Sequence, residues 1–143
     1  MPSIVDVNVI LPLILVQHPH RVMASAWWNG CADESVIFTL PVRMGTLRLL
    51  TNRAVMGSGV LSPESAWDSL ATLTDDARSV VRDDSPTGLN VVWLRLVRDR
   101  EPTPNLWTDA WLAAYAEALD CDMVTFDKGY RSFGLAKLQL LGP

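Results

Sequence analysis

Three short apolar runs, each of strand length and each separated from the next by helix-like sequence, constrain the fold of this chain more than any other feature. They are residues 3–7 (SIVDV), residues 35–40 (SVIFTL) and residues 121–127 (CDMVTFD). A run of four to eight apolar residues bounded by turn signals reads as a fully buried strand. Strands that alternate with helices build a mainly parallel sheet covered by helices, because each parallel connection needs a crossover. The predicted fold class is therefore an α/β sandwich around a mainly parallel central sheet.

The intervening segments fit that alternation. Residues 9–16 are apolar and suit either a helix or a continued strand, since periodicity does not separate the two. Residues 20–31 carry helical spacing through Val22, Ala26 and Trp27, with Gly30 as a stop. Pro41 suits the first turn of a helix over 41–52. Gly57 and Gly59 mark a loop. Ser62 as N-cap, Pro63 and Glu64 open a helix over 62–73. SVVRDDSP reads as a short strand entering a turn. Residues 87–100 place Val91, Leu94 and Val97 on one helical side. Pro102 and Pro104 force a loop. TDAWLAAYAEAL is the strongest helix in the chain, and LQLL near the end suits a last strand.

The chain has 143 residues, 49% of them hydrophobic. That suffices for one domain over 1–143 and argues against disorder. No apolar run approaches the length of a membrane span, and the start lacks the basic region of a signal peptide, so the expectation is a cytoplasmic protein with no membrane contact. Cys31 and Cys121 form no CxxC pair and read as free thiols. His18 and His20 flank Pro19 with no cysteine nearby, which reads as an exposed turn or helix start rather than a zinc site. A net charge of −4 argues against whole-surface binding to nucleic acid but leaves room for a basic rim around an acidic centre.

The first and last of these apolar runs end in acids. Asp6 closes the first, Asp127 closes the last, and Asp109 falls in the first turn of the helix between. If both strands are parallel and central, Asp6 and Asp127 meet at the carboxyl edge, where open α/β sheets bind ligands, and Asp109 can reach the same point. Clustered carboxylates repel unless a cation neutralises them. Hard divalent ions such as Mg²⁺ or Mn²⁺ take oxygen ligands and keep several waters, and a metal-bound water beside a phosphodiester performs hydrolysis. Asn8 and Thr108 add neutral oxygens. Each acid also has a bland reading: Asp109 as a favourable helix-dipole charge, Asp127 as a turn residue with Gly129.

Taken in order, IVDVNVIL, LRLLTN, NLWTDAWLAAYA and MVTFDKGY resemble the motifs of PIN-domain proteins, and among these the VapC-type toxin ribonucleases of bacterial toxin–antitoxin modules. The resemblance spans Ile4 to Tyr130. It implies a three-layer α/β/α sandwich, endoribonuclease activity dependent on Mg²⁺ or Mn²⁺, an RNA substrate, a cognate VapB-like antitoxin and a homodimer. It places catalytic and metal-binding roles on Asp6, Asp109 and Asp127, with Asn8 and Thr108 in support. Many family members carry a glutamate on the helix after the second strand. Here residues 35–63 contain no acid, and Gly129 stands where some relatives have another, which favours one bound ion, or a second that arrives with RNA, over two tightly bound ones.

Arg48 reads as a clamp on a site carboxylate, and Arg43, Arg53, Lys128 and Arg131 either hold RNA phosphates or are simply solvated. Arg95, Arg98 and Arg100 with Asp99 read as a solvated helix face. The six tryptophans read as core or partner-groove packing before base stacking. Two other functions stand beside the ribonuclease. One is a PIN fold without catalysis that acts through its partner, motivated by the missing glutamate. The other is a phosphatase with Asp6 as nucleophile, disfavoured because DVN lacks the second aspartate.

Overall fold

The computed structural model describes residues 2–142. Five parallel strands form one sheet: β1 (Ser3–Val5), β2 (Val36–Thr39), β3 (Ser79–Arg82), β4 (Asp122–Thr125) and β5 (Leu138–Leu140), in the order β3-β2-β1-β4-β5. The central strands β1, β2 and β4 fall within the three apolar runs 3–7, 35–40 and 121–127. β1 and β2 are buried throughout, as strands covered on both faces must be.

Among the described residues, seven α-helices surround the sheet: α1 (Val7–Ile14), α2 (Arg21–Asn29), α3 (Leu40–Leu50), α4 (Arg53–Met56), α5 (Pro63–Thr74), α6 (Leu89–Val97) and α7 (Leu106–Leu119). α1 packs on α2 and α3, and α3 on α5; α6 packs on α7, which also contacts β1 and β4. The result is the expected α/β/α sandwich. The core gathers Ile4, Val5, Phe38, Met123 and Val124 from the strands with Val9, Ile10, Leu112 and Tyr115 from the helices.

The main departures from the sequence reading are at the end of β1 and around Gly57. The first strand stops at Val5 rather than Val7, because the Asp6 carboxylate accepts a hydrogen bond from Val7 N at 2.7 Å and caps α1. The ambiguous run 9–16 thus belongs mostly to a helix, one that tolerates Pro12 inside it. Arg21 steadies that helix end by donating to the carbonyls of Pro12 and Leu13 at 3.2 and 2.6 Å. The loop marked by Gly57 and Gly59 is a 3₁₀ turn at Gly57–Gly59, preceded by the short helix α4. Ser62 caps α5 as expected, accepting from Ser65 N at 3.1 Å. Both cysteines are free. Among the described residues no helix is long and apolar enough to cross a membrane.

Candidate active site

Strand order decides where the acids go. β1 is hydrogen-bonded to β2 on one side and β4 on the other. The chain runs outward from β1 through β2 to β3, then returns to β4 on the opposite side. This reversal creates a crevice at the carboxyl ends of β1 and β4, where parallel sheets accept ligands. Asp6 follows β1 directly, and its N–H donates to the Val124 carbonyl of β4 at 3.2 Å. Asp127 lies two residues beyond β4. Asp109 stands in the first turn of α7. A cleft of about 360 Å³ is lined by all three, together with Asn8, Thr108 and Arg48. Its floor requires a close approach of α1 and α3: a Cβ on Gly45 would meet Val7 Cγ2 at 3.0 Å.

A buried hydroxyl organises the base of the cleft. Thr125 Oγ1, wholly buried at the end of β4, accepts from Asn8 Nδ2 at 3.0 Å and from Asp127 N at 3.0 Å. It lies 3.2 Å from Asp6 Oδ2, to which it donates. Asn8 Nδ2 also donates to Asp6 Oδ2 at 3.3 Å, and Asn8 Oδ1 accepts from Phe126 N at 3.1 Å. Asn8, in the first turn of α1, therefore ties that helix to the end of β4 through its amide. Asp127 Oδ1 accepts from Gly129 N at 2.8 Å. The buried phenol of Tyr130 donates to Asp109 Oδ1 at 3.2 Å. The second oxygens of Asp109 and Asp127 carry no hydrogen bond among the described residues, so they remain available to a ligand.

The electrostatics follow from burial and like charge. Burial raises Asp6 above the usual carboxylate range, against the stabilising hydrogen bonds from Val7 and Thr125, and the Asp127 charge raises it further. Asp109 is pushed up to about 6, first by burial and then by the Asp6 charge. Tyr130 is pushed far above the ordinary phenol range by burial and by the charges of Asp6 and Asp109, so it stays a donor. None of the three acids forms an ion pair among the described residues. As the side chains stand, no three His, Cys, Asp or Glu residues among those described are close enough to share one ion. The chemistry of the donors nevertheless suits a hard cation: oxygen ligands only, two of them free carboxylate oxygens, in a cleft with uncompensated negative charge.

Several expectations about the basic residues change. Arg48 lines the cleft but is exposed and pairs with none of its acids, so the clamp is not formed. Arg43 points away from the cleft, into a groove between α3 and α5, and pairs with Asp83. Helical geometry explains this: Pro41, Gly45, Arg48 and Leu49 share the cleft side of α3, whereas Leu40, Arg43, Met44 and Leu47 share the other. Arg53, Lys128 and Arg131 are exposed and line neither the cleft nor the groove. Arg100, read as part of a solvated face, instead bonds to Ser132. Sequence reasoning also missed Thr125 and Tyr130. Their spacing from Asp127, two residues before and three after, was visible, but their role depends on what lies across the sheet.

Comparison with known proteins agrees with the fold. Residues 3–134 match the model of the PIN domain, and the chain belongs to the PIN-domain family. Within it, the chain is similar to the VapC proteins: it is 36% identical over 140 residues to Ribonuclease VapC41 of Mycobacterium tuberculosis, covering 95% of this chain and 96% of that one. Among solved structures, VapC20 of Mycobacterium tuberculosis, a Sarcin-Ricin loop cleaving toxin, superposes with a TM-score of 0.70 at 18% identity, over 98% of this chain and 99% of that one. VapBC2 from Rickettsia felis, bound to a DNA fragment from its promoter, gives 0.66 at 13% identity, over 99% and 100%.

Proposed function

We propose that this chain is the toxin of a toxin–antitoxin pair, an endoribonuclease that hydrolyses RNA phosphodiester bonds with Mg²⁺ or Mn²⁺ at Asp6, Asp109 and Asp127. The observation that carries the reading is the convergence of three unpaired carboxylates in one cleft at the topological reversal of the sheet. The full-length likeness to a VapC ribonuclease supports it. Asp6 is the innermost of the three, held by Val7 N, Asn8 and Thr125. Tyr130 and Gly129 each hold one oxygen of Asp109 and Asp127, which orients the other toward the cleft. A divalent ion in this cleft would offset the carboxylate repulsion, bind a phosphate oxygen and make water a stronger nucleophile at neutral pH. Asn8 and Thr108 complete the polar lining.

The partners follow from the relatives and from exposed apolar surface. The Rickettsia felis neighbour is a VapBC complex, and this chain is proposed to bind a VapB-like antitoxin in the cytoplasm. Val22 and Met23 on α2 are exposed, and α2 packs on α1, whose Leu11 lines the cleft; an apolar antitoxin tail laid across these two helices would lead toward the acids. Leu40, Met44, Trp67 and Val81 expose a second apolar face between α3 and α5, which suits a homodimer. The test is cleavage of total RNA by the parent and by Asp6→Asn, with Mn²⁺ and with chelator. Metal-dependent cutting by the parent, lost in a folded Asp6→Asn variant, is expected. Chelator-insensitive cutting, or full activity in the variant, overturns the assignment.

A further inference from the structure

Asp109 and Asp127 are shared by two depressions. One is the cleft described above. The other, of about 300 Å³, opens on their far side and is walled by Arg100, Glu101, Thr103, Ser132 and Phe133. The two acids thus stand on a divide, with Arg48 on one side and Arg100 on the other.

Arg100 is held in place. Its Nη1 donates to Ser132 Oγ at 2.5 Å, its Nη2 donates to the Ser132 carbonyl, and its guanidinium carbon lies 4.5 Å from the centroid of the Phe133 ring. Stacking and two hydrogen bonds fix the plane of the group. A guanidinium has five N–H donors, and these contacts use two. Arg100 pairs with no carboxylate among the described residues, although Glu101 is its neighbour. The depression therefore presents a half-buried, oriented cation with spare donors, the form suited to bidentate phosphate binding. Its volume matches the small end of ligand sites.

We propose that this depression is a nucleotide subsite, in which Arg100 holds the RNA phosphate next to the one being cut and the nucleoside lies against Thr103 and Glu101. The proposal rests on the ribonuclease reading and deepens it. It sets the path of the strand across the acid divide, from the Arg48 cleft to the Arg100 depression. Protein cations meet the flanking phosphates, whereas the phosphate over the divide faces the acids. The hydroxyl of Thr103 and the carboxylate of Glu101 can contact base edges, so sequence preference resides at this position.

The experiment uses a fluorescent single-stranded RNA of random sequence, with the full chain in Mn²⁺ over a range of salt. Parent, Arg100→Ala, Arg100→Gln and Arg100→Lys are compared, with binding of the same RNA measured in chelator. Arg100→Ala is expected to raise KM about tenfold and to lower the slope of log(kcat/KM) against log[salt] by about 0.7, the value for one phosphate contact on a single strand. The distribution of cleavage sites should change at the nucleotide beside the cut. Arg100→Gln, which keeps a donor for Ser132, should behave like Arg100→Ala, so a folding defect in the latter does not decide the matter. Arg100→Lys should restore the slope. A merely structural Arg100 changes stability and leaves the slope alone. A parent that cuts RNA with slope and site distribution indifferent to Arg100 overturns the subsite alone. A parent that binds RNA through Arg100 without cutting it overturns the ribonuclease reading and keeps the subsite. A parent that neither binds nor cuts RNA overturns both.

Discussion

Asp109→Asn should stabilise the metal-free protein at neutral pH, because the carboxyl of Asp109 is held at about 6 against an ordinary value of 3.8. The native state binds the Asp109 proton more tightly than the unfolded chain does. Between the two values it therefore carries more protons, and stability falls as pH rises through that window. Above about pH 6 the full cost is present; below 3.8 it vanishes. Taken whole, the shift corresponds to about 3 kcal/mol. The carboxyl is only half-buried, and solvent screening reduces this to about 1 kcal/mol, or about 3 °C in melting temperature for a chain of this size. Asparagine removes the charge and keeps an oxygen for the Tyr130 hydroxyl, so no buried donor is orphaned. Thermal unfolding in chelator at pH 7.5 and pH 4.5 reads the effect. The variant should be more stable at pH 7.5, with the increment reduced to about a third at pH 4.5. A destabilised variant at pH 7.5, or an increment independent of pH, would refute the assignment of the strain to carboxylate desolvation and repulsion.

Mn²⁺ should raise the melting temperature of the parent, since an ion that binds only the native state stabilises it by mass action; calorimetry with Asp127→Asn should show a smaller increment, and an unchanged one removes Asp127 from the site. Thr125→Val keeps the shape but leaves the Asn8 amide and the Asp127 N–H short of an acceptor, so urea unfolding should show a loss of about 2 kcal/mol together with reduced RNA cleavage. Replacing Trp67, exposed between α3 and α5, with Ser should shift the chain toward monomer in sedimentation while leaving its fold intact; an unchanged oligomeric state moves the dimer face elsewhere.

How far the sequence reached is clearest at Asp6. The apolar run before it announced a buried strand, and a carboxylate at the end of such a run needs a partner or an ion. The run before Asp127 likewise announced a strand, and the alternation of strands with helices was enough to predict a parallel sheet. These inferences succeed because strand length, helical spacing and capping residues such as Ser62 act over a few neighbouring positions and are written directly in them. The end of β1 was misplaced for a local reason too: a capping acid and a continuing apolar run compete, and the cap prevailed.

The tertiary structure decided what lies across space. Setting β4 beside β1, rather than at an edge, brings Asp127 to Asp6, and no short stretch of sequence encodes that adjacency. The arginines show the same limit. Arg43 and Arg48 sit five residues apart on α3 yet face a groove and a cleft, and Arg100 left its apparent surface position for Ser132 and Phe133, 32 and 33 positions further along. Tyr130 and Thr125 carry no local mark of a role; only the approach of α7 and β1 turns their hydroxyls toward carboxylates. Pattern determines which segments are buried, but the identity of a side chain's partners depends on strand order and helix rotation, which are set by how the whole core packs.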